Sequence, residues 1–325
     1  MSRGKTYAST CSYCGVGCGL LVEVDRRGRL QVHGDEEHPV NRGMLCSKGL
    51  NLAYAMEDRG DRLRFPEMRT SREAPRARVS WDDAIAHVAG RIRDVIDRHG
   101  PDAVGFYVSG QCLTEEYYLA NKLVKGFLGT NNLDTNSRLC MSSAAVAYTK
   151  TLGEDCVPIC YDDIEASDCI FIAGANPAWC HPILFRRMEA HKAVNPHVKI
   201  IVADPRRTAS CGIADLHLAV KPGTDVTLHH AIARVLIERG WIDHEFVRAR
   251  VTGWGAYRAA AFALSVAEAA DRCGVPAEQI VRAASLIGNA KGFLTVWAMG
   301  LNQSAVGVDK NVSLIALNLI TGHVG

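Results

Sequence analysis

Four of the twelve cysteines in this 325-residue sequence have a spacing that could do chemistry. Cys11-Ser-Tyr-Cys14-Gly-Val-Gly-Cys18 puts three thiols on one tight loop, and Cys46 in Met44-Leu-Cys46-Ser-Lys48-Gly49 adds a fourth from a distance. Three close thiols plus a remote one suit a [4Fe-4S] cubane, in which every iron needs one corner ligand. Gly15, Gly17 and Gly19 allow the sharp turn and let backbone N–H groups approach the sulfurs. A structural zinc is the alternative, but zinc sites usually pair two short Cys-x-x-Cys knuckles, and the second knuckle is absent. Lys48 reads either as an ordinary solvated lysine or, from its place two residues beyond Cys46, as a fixed ammonium that offsets cluster charge and bridges to a second redox centre.

The elements that must position these groups are of two kinds. Residues 1–62 are rich in Gly, Cys and short β-like runs such as Leu20-Leu-Val-Glu-Val24 and Leu30-Gln-Val-His33, which predicts a small loop-dominated domain stabilised by a metal cluster rather than a large core. After a charged connecting stretch, helices and strands alternate. Ser80 with Asp83 is a capping signal, and Ile85, Val88, Ala89, Ile92, Val95 and Ile96 recur at helical spacing until Gly100-Pro101. Residues 103–108 read as a buried parallel strand and 114–128 as a helix. Further buried strands are expected over Cys169–Ala173, Lys199–Ala203, 216–220 and Phe293–Trp297, so the class is α/β, with doubly wound parallel sheets covered on both faces. Lys plus Arg total 37 against 35 Asp plus Glu, so no global field favours nucleic acid or an anionic membrane. No run approaches the ~18 to 20 apolar residues of a membrane span, and the first residues lack an apolar signal core or twin arginine. A cytoplasmic protein with reduced thiols is expected.

At this point the sequence resembles the molybdenum-bis(molybdopterin guanine dinucleotide) oxidoreductases. The resemblance rests on the Cys motif with Cys46-Ser-Lys48-Gly49, on Asn136-Ser-Arg-Leu-Cys140-Met-Ser-Ser, on His181-Pro-Ile-Leu, on Asp204-Pro-Arg-Arg-Thr208, on Pro222-Gly-Thr-Asp225 and on Met299-Gly-Leu-Asn-Gln303. It implies a small [4Fe-4S] domain (1–62), an incomplete α/β/α domain (63–139 plus 300–325) and a Rossmann-like dinucleotide-binding domain (140–299), with the carboxy-terminal part of the family architecture beyond residue 325. It also implies that Cys11, Cys14, Cys18 and Cys46 ligate the cluster, that Lys48 carries electrons to the pterin, and that Cys140 ligates molybdenum. Physical reading agrees for Cys140: it follows a polar turn at 132–138 and precedes a helix at Ser142–Leu152, so the helix dipole and Arg138 would favour its thiolate. Cys169, inside an apolar strand, reads as an inert thiol, and Cys112, Cys156, Cys160, Cys180, Cys211 and Cys273 receive the same structural reading.

The dinucleotide needs surfaces for pyrophosphate, ribose and guanine. Ala173-Gly-Ala-Asn176 follows a strand and precedes a helix, so Gly174 and Asn176 stand where an α/β sheet binds nucleotide, although the full Gly-x-Gly-x-x-Gly pattern is absent. Asp204 can accept from ribose or guanine, and Arg206 and Arg207 can face phosphate. Asp225 after Gly223 is similarly placed, or caps the helix that begins there. By the resemblance, Gln111, Asn136, Met299 and Gln303 line the pterin site, core packing being the alternative for Met299. Cys140 is followed by Met141, not by the histidine of formate dehydrogenases, and the surrounding segments most resemble assimilatory nitrate reductase. Reduction of nitrate to nitrite is therefore expected, with formate dehydrogenase or another molybdenum oxidoreductase as the alternative. Electrons would come from ferredoxin, flavodoxin or an NADH-linked reductase subunit. The 325 residues alone are expected to be inactive or poorly soluble.

Overall fold

The computed structural model describes residues 5–56, 60 and 63–324. The chain forms two compact units: one from the described parts of Met1–Tyr7, Val22–Val32 and Ser47–Arg138, the other from those of Ala8–Leu21, His33–Cys46 and Leu139–Gly325. Strands β1 (Lys5–Thr10), β2 (Gly19–Val24) and β3 (Leu30–Gly34) form a three-stranded sheet in that order. Helices α1 (Ser47–Leu50) and α2 (Leu52–Met56) follow, then a short antiparallel pair, β4 (Glu67–Met68) and β5 (Ala77–Arg78).

In the first unit the capping signal produces α3 (Trp81–His99): Ser80 Oγ accepts from Asp83 N–H at 3.1 Å, and Gly100, at φ +80°, closes the helix by donating to Ile96 O. The stripe expected to face a core is not covered by the described residues, because Trp81, Ile85 and Val88 are all exposed. Residues 103–108 give only the three-residue β6 (Phe106–Val108), which pairs in parallel with β7 (Leu133–Thr135), while Tyr107 lies largely in solvent. The stretch read as a polar turn thus contains a strand. The helix expected over 114–128 changes winding: α4 (Thr114–Asn121) passes into a π-helical turn at Lys122–Leu128, which ends on left-handed Gly129.

The second unit carries α5 (Ser137–Cys140), shared across the boundary, α6 (Ser142–Leu152) and α7 (Asp163–Ala166). There follow β8 (Cys169–Ala173), α8 (Pro177–Cys180), α9 (Pro182–Val194), β9 (Lys199–Ala203) and β10 (Leu216–Leu218), which stops two residues before the expected end. Five helices, α10 (Asp225–Glu238), α11 (His244–Arg250), α12 (Trp254–Ala261), α13 (Val266–Cys273) and α14 (Ala277–Gly288), lead to β11 (Phe293–Trp297), α15 (Met299–Asn302) and α16 (Gly307–Thr321). The sheet order is β10-β9-β8-β11, every pair parallel, with Phe171 opposite Ile201 on one side and Thr295 on the other. Because side chains alternate along a strand, Cys169, Phe171 and Ala173 enter one core with α10, α14 and α16, whereas Ile170 and Ile172 enter a second with Met188 of α9. Both faces are covered, as the near-continuous apolar strands require. No helix among the described residues is long and apolar enough to cross a membrane.

The larger core encloses the imidazole of His229. His229 is 1% exposed, with Nδ1 2.8 Å from Ser313 Oγ and its ring edge-on to Phe171. Burial depresses its pKa from 6.5 to about 4; Asp225 works against the shift, while His230 and Lys310 add to it. The folded state thus resists a proton that the unfolded chain accepts below pH 6.5, so stability falls as pH drops from about 6.5 towards 4, by about 3 kcal/mol in all. Denaturant titrations at pH 7 and pH 4.5 should show this loss, and His229→Asn should flatten it; an unchanged slope in the variant would contradict the assignment.

Candidate functional site

The loop bearing Cys11, Cys14 and Cys18 is closed by Cys11 N–H donating to Cys18 O at 2.8 Å, and it turns at Gly17, whose φ is +75°. Cys11 and Cys18 are buried, and Cys14 and Cys46 half-buried. Asn41, wholly buried, brings the two cysteine segments together: its Oδ1 accepts from Gly19 N–H at 2.7 Å, and its Nδ2 donates to Gly19 O at 3.1 Å and Met44 O at 2.9 Å. The segment beyond Cys18 is thereby fastened to the segment leading into Cys46. Position 19 must be glycine, since a Cβ there would lie 2.3 Å from the His38 ring.

The scaffold behind this loop is polar. The Tyr161 hydroxyl donates to Val16 O at 3.0 Å, and Arg186 Nη1 donates to Leu45 O at 2.9 Å. Arg187, with its side chain only 2% exposed, grips both oxygens of Glu165 at 2.7 and 2.6 Å and Asp162 at 2.8 Å, while Nη1 donates to Pro39 and Val40 carbonyls at 3.3 Å. Burial pushes the Cys18 thiol up to about 11, and Cys11, Cys14 and Cys46 push the same way. Tyr161 is raised by burial and then by Cys18 and Cys14. Among the described residues no three His, Cys, Asp or Glu side chains gather as ligands of one metal ion. The four thiols are close enough to feel one another's charge, and an iron cluster, which needs them as thiolates, would relieve that repulsion. The residues fit the cluster.

A second locus lies where the winding of the parallel sheet reverses, between β8 and β11, at their carboxyl ends. Gly174, at φ +55°, and Gly300 meet backbone to backbone: Gly300 N–H donates to Gly174 O at 3.0 Å, and a Cβ on Gly300 would stand 2.6 Å from Gly174 Cα. One residue before Gly300, Met299 brings its Sδ to 3.4 Å from Cys140 Sγ, and Gln303 Nε2 donates to the same sulfur at 3.6 Å. Cys140 is half-buried between a thioether and an amide. Cys169 shows the contrast: sealed in the sheet at 1% exposure, its pKa is driven up to about 12 by burial. Asn302 Nδ2 donates to Met141 Sδ at 3.4 Å, and Asn302 Oδ1 accepts from Trp297 Nε1 at 3.2 Å, which ties the residue after Cys140 to the end of β11.

Other expected residues cluster at the same sheet end. Asn176 accepts from Ser210 Oγ at 2.7 Å, and Asp204, buried, accepts from Arg206 N–H at 2.8 Å, while Arg206 and Arg207 extend into solvent. Gly223 turns at φ +86°, and Thr224, not Asp225, occupies the N-cap of α10; the Asp225 carboxylate instead pairs with Lys310 at 2.7 Å. In the first unit Gly110 N–H donates to Asn136 Oδ1, so Gln111 and Asn136 stand together at the ends of β6 and β7, and Lys48 is exposed on α1. Two expectations fail. Arg138, expected to favour the Cys140 thiolate, forms an ion pair with Asp134 of β7 at 2.8 Å, because a carboxylate in reach attracts the guanidinium more strongly than a thiol does. Cys160 and Cys180 are exposed, not buried, since both lie on loops or a helix end outside the sheet; Cys180 Sγ lies 3.1 Å from His181 Nδ1. The contacts of Asn41, Arg187 and Tyr161 carried no sequence signal.

Asn41→Ala should strand Gly19 N–H in a buried site and break two further bonds, costing about 3 kcal/mol. Denaturant unfolding together with iron analysis of the purified protein checks this; an unchanged midpoint with full iron would contradict it.

Residues 62–325 match the Molybdopterin oxidoreductase family, and residues 4–58 match the Molybdopterin oxidoreductase Fe4S4 domain. Over 98% of its length the chain is 44% identical to a nitrate reductase of Synechocystis sp., of which it covers 46%, and 40% identical to a periplasmic nitrate reductase of Desulfovibrio desulfuricans, of which it covers 43%. An assimilatory nitrate reductase of Haloferax mediterranei is 36% identical over 99% of the chain and 44% of its own length; an F420-dependent formate dehydrogenase subunit alpha of Methanocaldococcus jannaschii is 34% identical over 99% and 46%. The chain thus spans less than half the length of these relatives. Among solved structures, acetylene hydratase from Pelobacter acetylenicus superposes with a TM-score of 0.85 at 23% identity, covering 97% of this chain and 43% of that one, which shows the shared fold. The two matched domains carry a [4Fe-4S] cluster and a molybdenum–molybdopterin cofactor, groups that the thiol quartet and the Cys140 crevice fit. The chain belongs to the molybdopterin oxidoreductase family and includes its iron–sulfur domain.

Proposed function

We propose that the whole protein is an assimilatory nitrate reductase, reducing nitrate to nitrite in the cytoplasm. The observation that carries this reading is Cys140 held between Met299 and Gln303 and followed by Met141, in a chain most similar to nitrate reductases among the relatives compared. When bound, the molybdenum cofactor supplies two-electron oxygen-atom transfer, and the cluster supplies single electrons. The roles of the protein are to hold and orient. Cys140 ligates the metal, and the Gln303 amide, donating to that sulfur, stabilises its thiolate. Gly174 and Gly300, bare of side chains, let backbone approach the cofactor. Asn176, Asp204 and Asp225 accept from its nucleotide, Arg206 and Arg207 face phosphate, Gly223 shapes the adjoining turn, and Gln111 and Asn136 line the pterin. Cys11, Cys14, Cys18 and Cys46 would ligate the cluster, and Lys48 would be the residue through which it is coupled to the pterin.

In this reading the domains run 1–62, 140–299 and 63–139 with 300–325, and electrons arrive from ferredoxin, flavodoxin or an NADH-linked subunit. The cytoplasmic placement is favoured by the assimilatory relative; the periplasmic relative makes cell fractionation its direct check. Formate oxidation is the second reading, favoured by the formate dehydrogenase relative and opposed by Met141 in place of histidine. The full-length protein should form nitrite with reduced viologen, lose at least a hundredfold of that rate as Cys140→Ala, and leave formate unoxidised. Formate-dependent dye reduction without nitrite formation would overturn the assignment.

A further inference from the structure

Lys310 lies in the first turn of α16 and is 5% exposed. Both facts are unfavourable for a cation: the helix N-terminus already carries partial positive charge, and burial strips the ammonium of water. Two bonds offset this. Nζ donates to Asp225 Oδ2 at 2.7 Å and to Gly300 O at 3.3 Å. Asp225 opens the helix that follows β10, whereas Gly300 stands in α15, just after β11, and Gly300 N–H is itself committed to Gly174 O after β8. One ammonium therefore joins the segments after β10 and β11 directly and, through Gly300, reaches the segment after β8. Gly300 is held at its N–H by Gly174 and at its carbonyl by Lys310, and its neighbour Met299 carries the sulfur beside Cys140.

We propose that Lys310 is a positioning residue: by gripping Asp225 and the Gly300 carbonyl together, it fixes the 299–303 segment, α15 and Gln303, against the Cys140 sulfur and so sets the thiolate environment of the bound molybdenum. This rests on Cys140 as the molybdenum ligand but not on nitrate as substrate. If Lys310 served only the general packing of the chain, its loss would lower iron and molybdenum together; if it positions the 299–303 segment through the Gly300 carbonyl, molybdenum falls alone.

The test uses the full-length enzyme matured with its cofactors, as Lys310→Met and Lys310→Arg. Molybdenum and iron per chain are measured, together with the Mo(V) electron paramagnetic resonance spectrum. Lys310→Met should lower molybdenum relative to iron by about tenfold, the scale of outer-shell losses at metal sites, and shift the Mo(V) g-values of what remains. Lys310→Arg should recover both. A wild-type metal ratio and spectrum in Lys310→Met would overturn the proposal, as would a parallel loss of iron and molybdenum. Nitrate turnover is assayed separately: a wild-type enzyme inert towards nitrate would defeat the substrate assignment and leave these metal readouts in force.

Discussion

The contact between Gly174 and Gly300 is the constraint on which the second unit depends. Two loops leaving adjacent parallel strands in opposite senses normally diverge; here they are drawn together until their backbones touch, which only residues without a Cβ permit. Because they touch, the residue before Gly300 reaches the Cys140 sulfur, and the carbonyl after that amide reaches Lys310. The crevice is thus a property of the sheet: two cores clamp β8 and β11 from opposite faces, and the loop geometry follows from strands that cannot shift.

The iron–sulfur loop solves the converse problem. It has little apolar mass of its own, Val16, Leu20 and Leu45 being its buried hydrophobic residues beside Cys11 and Cys18, so polar side chains position it. Asn41 fastens one cysteine segment to the other, and Arg187 answers two carboxylates and two carbonyls at once. An almost fully buried guanidinium is tolerable only when its donors are all engaged, which makes this network sensitive to loss of any one partner.

How much was legible in the sequence follows from the range of the interactions. The strands of the main sheet and the capped helix at Trp81–His99 were readable, since apolar runs and Ser80–Asp83 spacing are local signals. The thiol spacing and the residues that collect at the sheet end were also readable, through short motifs each contiguous in the chain. What escaped was carried by distant partners. Arg187 meets Val40 across 147 residues, and nothing near either one announces it. Lys310 sits in a helix where a lysine ordinarily faces water, and its partner lies 85 positions away in the sequence, at Asp225. The change of winding at Lys122–Leu128 leaves the apolar pattern unaltered and so was invisible, and the strand at Leu133–Thr135 was hidden by its polar composition.

The proposed bond from the Cys140 sulfur to molybdenum is open to direct measurement. X-ray absorption at the molybdenum edge, on the full-length protein and its Cys140→Ser variant, tests this directly. The expected result is one fewer sulfur neighbour at the metal in the variant, with iron content unchanged. Identical sulfur shells in the two proteins, each with full molybdenum, would contradict it.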